Sequence, residues 1–213
     1  MPAANYSVIT ADVVDSRLVE GFREKRDAKL AEVTRLHTDS ALVSTPYTIT
    51  AWDEFQVVLT RPEFTARAIL DLRRIFFPME LWIAVGIGSA TGLDLGPVNV
   101  NAGGEAFERA REAADRLKTV SPKSRALTSF ESGNEIFDAI ANTIYELHDA
   151  LLEGRTEKQW EAINMQMEAG RQDITADRLD RDASTISRNL KRAFHWQSLD
   201  TVNAMEKIIR AYF

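Results

Sequence analysis

The segment from Thr48 to Thr60 constrains the fold most, because it places an acidic pair between two runs of strand-forming residues. β-branched and aromatic residues precede and follow the acids: Thr48, Ile49, Thr50, Phe55, Val57, Val58 and Leu59. The segment is too short for anything but a β-hairpin, which puts Asp53 and Glu54 at its turn. Two interpretations of the pair stay open: residues of a functional site, or ordinary turn residues, since Asp forms local hydrogen bonds in turns.

Residues 6–14 form an apolar run that predicts a buried strand. Asp12 lies inside this run, and a carboxylate is costly to bury unless it is paired or bound to a cation. Asp12 is therefore either a metal ligand or a strand-end acid that reaches solvent. Ser16 either contacts a ligand or caps the following helix, and Arg17 either contacts a phosphate or pairs with Asp15.

The apolar spacing along the rest of the first half predicts the order of its elements. Helices are expected over residues 18–42, 62–78 and 103–118, a second buried strand over 80–88, and a loop over 89–102. The order strand, helix, hairpin, helix, strand, loop, helix predicts an α+β domain with helices layered on a mainly antiparallel sheet.

The chemistry of a metal site in this chain is restricted by composition. The chain has no cysteine and three scattered histidines, so any metal must be held by oxygen. If the first strand lies beside the hairpin, Asp12 and Asp53 converge at one end of the sheet. Two carboxylates with a nearby phosphate make a Mg²⁺ site.

The charge is distributed unevenly between the two parts of the chain. The net charge of −6 argues against a general coating of nucleic acid. Residues 155–213 carry ten Lys and Arg against nine Asp and Glu, whereas residues 1–154 carry 16 against 23. The sequence shows neither a membrane span nor a signal peptide, which predicts a soluble cytoplasmic protein.

The second half of the chain is predicted to be helical. Residues 134–152 form an amphipathic helix that links two domains, dimerises, or packs on its own domain. The expected division is therefore an α+β domain over 1–130, a linker helix over 131–154 and an all-α domain over 155–213.

The segment 175–193 carries the most specific local pattern, which is similar to a helix-turn-helix. Asp180 and Arg181 stand where that motif usually has Gly and an aliphatic residue, and Ser184 is expected to cap the second helix. The predicted DNA contacts project from the second helix: Ser184, Thr185, Ser187, Arg188, Lys191 and Arg192. Because the first helix is acidic, a protein-interaction module is the alternative, and weak DNA affinity raised by dimerisation fits both facts.

Four segments carry a resemblance to known families: residues 9–17, 49–56, 85–88 and 104–113. They resemble the SatD family of bacterial proteins over nearly the whole chain. More distantly, the first part resembles the palm domains of GGDEF and related nucleotidyl cyclases, which have a ferredoxin-like sheet. In those domains a first-strand Asp and an acidic hairpin turn bind two metal ions and a nucleoside triphosphate.

That likeness implies roles for individual residues. Asp12, Asp53 and Glu54 match the metal-binding acids, and Arg111 matches a basic residue that touches phosphates. The segment departs from the cyclases at Ala51 and Trp52, which stand where they have Gly-Gly. The difference implies a degenerate palm without turnover, or one that binds another ligand against Trp52.

The leading hypothesis is a DNA-binding regulator that acts as a homodimer and senses a nucleotide or another phosphorylated ligand through its palm. The alternative is a Mg²⁺-dependent enzyme of nucleotidyl or phosphoryl transfer that uses Asp12 and Asp53. A scaffold with neither ligand nor DNA is the third class.

Overall fold

The first part of the chain folds around one five-stranded sheet. The computed structural model describes residues 5–43, 46–93, 102–119 and 126–213. The strands are β1 (Tyr6–Val13), β2 (Thr48–Ile49), β3 (Glu54–Leu59), β4 (Leu81–Gly88) and β5 (Thr128–Glu131). Their order is β2-β3-β1-β4-β5, and every neighbouring pair is antiparallel except β4 and β5. The predicted mainly antiparallel sheet and the hairpin of β2 and β3 are confirmed, whereas β5 was not predicted.

The helices follow the predicted order. They are α1 (Phe22–Asp39), α2 (Thr65–Phe76), α3 (Glu105–Thr119), α4 (Glu135–Leu152), α5 (Glu157–Ala169), α6 (Gln172–Arg178), α7 (Ala183–Arg192) and α8 (His195–Tyr212). Short 3-10 turns precede α1 and α2, at Ser16–Leu18 and Pro62–Phe64. Most of the predicted loop 89–102 lies outside the described residues. Within the described ranges, no helix combines the length and apolar character needed to span a membrane.

The alternation of side chains along β1 divides the sheet into two faces. Ile9, Ala11 and Val13 point into the main core, which α1, α2, α4 and α8 complete. Val8 lies on the opposite face, in a smaller cluster with the α3 residues Ala106 and Ala110. The class is therefore α+β, with helices layered on both faces of the sheet.

Helix α3 packs directly on β4 because the strand carries glycine where the helix crosses it. A Cβ atom at Gly86 would lie 2.0 Å from the carbonyl oxygen of Ala106 and 2.3 Å from the amide nitrogen of Ala110. Further along, the buried residues Ala113 and Leu117 pack on Ala84. This close approach carries the C-terminal end of α3 toward the end of β1, where Asp12 lies.

The helices α5, α6 and α7 form a three-helix unit with its own core. That core consists of Trp160, Ala162, Ile163, Ala176, Ile186, Leu190 and Ala193. Helix α5 begins at a capping box formed by Thr156 and Gln159. After this unit the chain returns to the sheet domain, since Val202, Met205 and Ile209 of α8 are buried in the main core.

Candidate functional site

The acids predicted from the sequence lie together where β1 meets the hairpin turn. Asp12 is paired with Glu54 in the register of β1 and β3. The backbone amide of Val13 donates to the carbonyl oxygen of Asp53 across 3.2 Å. Ser16 is not a helix cap, because its hydroxyl donates to a carboxylate oxygen of Asp53 at 2.5 Å. Four of the predicted site residues therefore converge.

The negative charge of Asp12 is only partly offset by neighbouring positive charge. Burial raises the pKa of Asp12, and the negative charges of Asp53 and Glu54 raise it further. The ammonium group of Lys118 opposes this effect by lowering the pKa of Asp12. A cation placed beside Asp12 would relieve the same repulsion.

A small recess on the α3 face adjoins Asp12. It measures about 10 Å³ and is lined by Thr10, Asp12, Glu54, Trp82, Ala84, Ala114, Leu117 and Lys118. A recess of this size is at the lower limit for holding one water molecule. In the described part of the chain, no group of three or more acidic or histidine side chains could hold a metal ion. A Mg²⁺ ion here would therefore need water and phosphate oxygens to complete its coordination, which is its usual preference.

Lys118 is a basic residue that lines the recess together with Asp12 and Glu54, and it was not predicted from the sequence. The cyclase resemblance points instead to Arg111, which is exposed and has no contact among those described. Lys118 follows Arg111 by seven residues, which on an α-helix is almost two full turns and the same side. This spacing is the signal that could have identified Lys118 from the sequence.

Trp52 and Arg17 lie away from the acids' recess. The indole of Trp52 stacks on Phe22 of α1 at 5.8 Å between ring centroids, and Arg23 lies 4.3 Å above the indole. Arg26 donates to the carbonyl oxygen of Trp52. The described contacts of the indole are thus with α1. Arg17 is exposed, and among the described residues it forms no ion pair with Asp15.

A larger cleft adjoins the end of β1. It has a volume of about 580 Å³ and is lined by Val14, Asp15, Leu18, Val19, Lys25, Lys29, Pro78, Met79 and Glu80. Lys29 donates to the carbonyl oxygens of Ile75 and Phe77, the second at 3.0 Å. Burial lowers the pKa of Lys29. Pockets of this size hold small-molecule ligands, and neither lysine was identified from the sequence.

The turn between α6 and α7 contains a residue with positive φ. Asp180 has a φ of 49°, in the left-handed region that Asp tolerates better than most residues. The amide of Arg181 donates to the carbonyl oxygen of Ala176 at 3.0 Å and closes the end of α6. Ser184 is not the cap of α7, since the helix begins at Ala183 and its N-cap is Asp182.

Helix α7 has one buried side and one basic side. Ile186 and Leu190 are buried against α5 and α6. The predicted contact residues Ser184, Ser187, Arg188, Lys191 and Arg192 are exposed, whereas Thr185 is half-buried. The guanidinium of Arg188 donates to the hydroxyl of Thr185 at 3.2 Å.

The fold and these sites define an α+β protein whose five-stranded sheet is joined to a three-helix unit with a basic outer helix. No protein-family model matches the chain, and no curated protein matches it. The resemblance to SatD therefore stays a prediction.

Among solved structures, the chain is similar to a regulator of polyketide synthase expression from Bifidobacterium adolescentis, with a TM-score of 0.33 and 14% sequence identity. The match covers 96% of this chain and 82% of that chain. This TM-score is too low to support an inference about fold or function.

Proposed function

We propose that the chain is a DNA-binding regulatory protein in which α6 and α7 form a helix-turn-helix. The observation that carries the proposal is the outer side of α7, where three basic residues are exposed within five positions: Arg188, Lys191 and Arg192. Ile186 and Leu190 pack α7 on two other helices. The basic side of α7 therefore faces away from the three-helix unit, as in a recognition helix.

Lys and Arg on a recognition helix contact phosphates and base edges, and phosphate contacts provide most of the affinity. The acids on and after α6, among them Asp177 and Asp182, weaken the attraction of a single copy for DNA. A dimer would bind the duplex more tightly than a single copy, because once one copy is bound the second binds as part of the same complex.

The outer side of α4 supports a homodimer. Phe137, Ala141 and Tyr145 pack inward, so the helix packs on its own domain. Ile136 and Leu147 on the other side are nevertheless 67% and 64% exposed. Exposed apolar residues on one helix side are typical of a surface that a partner covers.

The acids beside the hairpin support a second activity, the sensing of a nucleotide or another phosphorylated ligand with Mg²⁺. Asp12 and Asp53 would hold the ion, and Lys118 would neutralise phosphate charge. The cleft lined by Lys25 and Lys29 offers the space for the rest of the ligand. Mg²⁺ would bridge the carboxylates and the phosphate oxygens.

A Mg²⁺-dependent transfer enzyme is the second candidate, since the same two carboxylates and a cation suffice for phosphoryl or nucleotidyl transfer. The observation that favours it is the position of Trp52, whose indole lies on α1 and not against Asp12. Trp52 stands where the cyclases have glycine, but its indole does not line the recess beside Asp12.

DNA binding is tested by fluorescence anisotropy with a pool of random-sequence duplexes at several salt concentrations. Arg188→Ala and Lys191→Ala should each weaken binding and lower the slope of log affinity against log salt by about one. Lys207→Ala, which removes an exposed charge from α8, is the matched control and should bind like the wild type. Equal affinity in all four proteins would rule out α7 as the DNA-contacting helix.

Ligand sensing is tested by thermal unfolding with Mg²⁺ and a panel of nucleoside triphosphates. Binding to the folded state raises the melting temperature, and Asp12→Asn or Asp53→Asn should abolish that rise. The wild type and both variants are also incubated with the triphosphates. If the wild type releases pyrophosphate or phosphate and the variants do not, the protein is a transfer enzyme and not a ligand sensor.

A further inference from the structure

The junction between α7 and α8 holds a bulky residue in a conformation that favours glycine. Phe194 has a φ of 52° and its side chain is 41% exposed. The described residues with positive φ other than glycine are Asp15, Ala41, Asp180 and Phe194. Two of these are Asp, which tolerates the left-handed region, and Ala41 is small. Phe194 is the one aromatic residue among these four, and it is partly exposed to solvent.

The backbone around Phe194 is fixed by both neighbouring helices. Its amide donates to the carbonyl oxygen of Lys191 at 3.1 Å. Its own carbonyl oxygen accepts from the amide of Ser198 at 3.0 Å and from the hydroxyl of Ser198 at 3.1 Å. The same hydroxyl accepts a hydrogen bond of 2.6 Å from the buried Arg155. These bonds fix the backbone of Phe194, and with it the direction in which the side chain leaves the chain at the end of α7.

A second exposed ring lies two residues further along. Trp196 is 43% exposed, while His195 between the two rings is buried. Phe194 and Trp196 both keep about two fifths of their surface in contact with water, although the indole of Trp196 also lies 4.7 Å from the imidazole of His195, measured between ring centroids. Strain and exposure at one residue are typical of positions kept for binding.

The charge next to these rings indicates the kind of partner. Lys191 and Arg192 lie three and two residues before Phe194, both are exposed, and among the described contacts neither pairs with a carboxylate. Positive charge flanked by aromatic faces is complementary to nucleic acid, where phosphates lie next to sugars and bases.

We propose that Phe194 and Trp196 extend the DNA-binding surface of α7, with their rings against deoxyribose and base edges beside the phosphates that Lys191 and Arg192 neutralise. This inference rests on the proposed function, since it needs α7 to approach DNA. It adds an apolar contact that does not depend on salt to an interface otherwise made of charged and polar residues.

The experiment compares the affinity of variants for the random-sequence duplex pool by anisotropy. Phe194→Asn removes the ring and supplies a residue that tolerates the left-handed region, so folding is kept. Trp196→Gln removes the second ring at an exposed position. Each should weaken binding about five-fold or more without a change in the salt slope. Phe194→Asn should melt at or above the temperature of the wild type.

Direct contact is measured by acrylamide quenching of tryptophan emission in a Trp52→Phe variant, which removes the other highly exposed indole. The duplex should protect the emission, and the protection should be lost when Trp196→Phe is added. If Arg188→Ala loses affinity while Phe194→Asn and Trp196→Gln bind like the wild type, the aromatic contact is refuted and the proposed function stands. If the wild type does not bind the duplex pool, both are refuted.

Discussion

Phe77, at the end of α2, stacks on Trp160 of α5 with ring centroids 5.4 Å apart and planes inclined by 29°. Trp160 also lies 4.8 Å beneath the guanidinium of Arg155, which is bound to Ser198 of α8. The sheet domain and the three-helix unit therefore share an aromatic contact, in which Trp160 is buried and Phe77 is half-buried.

This contact predicts that Trp160→Ala destabilises the protein strongly. Trp160 is 5% exposed, and truncation of a buried Trp typically costs about 3–5 kcal/mol of unfolding free energy. Urea unfolding of the wild type and the variant measures the difference. Trp52→Ala is the matched control, because Trp52 is also stacked but 48% exposed, and it should cost about 1 kcal/mol or less. Equal losses in the two variants would contradict a buried junction.

A second prediction concerns Asp12 without ligand. Because the pKa of Asp12 is raised in the folded state, that state binds the proton more tightly, and stability falls as pH rises above the unfolded value of 3.8. Asp12→Asn removes this penalty and should raise the free energy of unfolding at pH 7 by up to about 1 kcal/mol, since solvent screens a half-buried group.

Urea unfolding near pH 7 and pH 4 checks the prediction for Asp12. The advantage of the variant should shrink at the lower pH, where the wild-type carboxyl is partly protonated. An Asp12→Asn variant that is less stable than the wild type at pH 7 would indicate an acid with a structural role only.

The buried histidines predict loss of stability in mild acid. Burial, with the charges of Arg155 and Arg73, lowers the pKa of His148 to about 3. Burial and Arg155 lower the pKa of His195 to about 4. The unfolded chain, with histidine pKa values near 6.5, binds more protons below that pH, so stability is lost as pH falls from about 6.5.

For His148 alone the loss between about pH 7 and pH 5 is roughly 2 kcal/mol. His148→Leu should reduce the pH dependence by about half, because His195 still contributes. Urea midpoints measured across this range provide the check. A variant with the same pH dependence as the wild type would show that His148 is not held neutral by the fold.

At the turn between α6 and α7, we expect glycine to raise stability when it replaces Asp180 and to lower stability when it replaces Asp177. Asp180 has positive φ, and glycine adopts that conformation without steric cost, so Asp180→Gly should stabilise the protein by about 0.5–1 kcal/mol. Asp177→Gly removes the same charge from the last turn of α6, where the backbone is helical, and should destabilise the protein by up to about 1 kcal/mol. Calorimetric melting compares them, and a lower melting temperature for Asp180→Gly would contradict the turn geometry.

The parts of the fold that depend on local pattern were predictable, and those that depend on distant contacts were not. The hairpin follows from residues 48–60, and β1 follows from its apolar run. Strand β5 has only four residues, and its parallel pairing with β4 is not a local property. The orientation of Trp52 is likewise set by α1, and the place of Lys118 by the crossing of α3 over β4.

The central claim is that α7 reads DNA, and selection from a library of random duplexes tests it most directly. After several rounds of capture by the wild-type protein, the account predicts one enriched sequence with two related half-sites, as a dimer requires. Arg188→Ala should enrich that sequence more weakly, while Lys207→Ala should enrich it as strongly as the wild type does. Failure of the wild type to enrich any sequence, at a salt concentration where it binds the unselected pool, would contradict the claim.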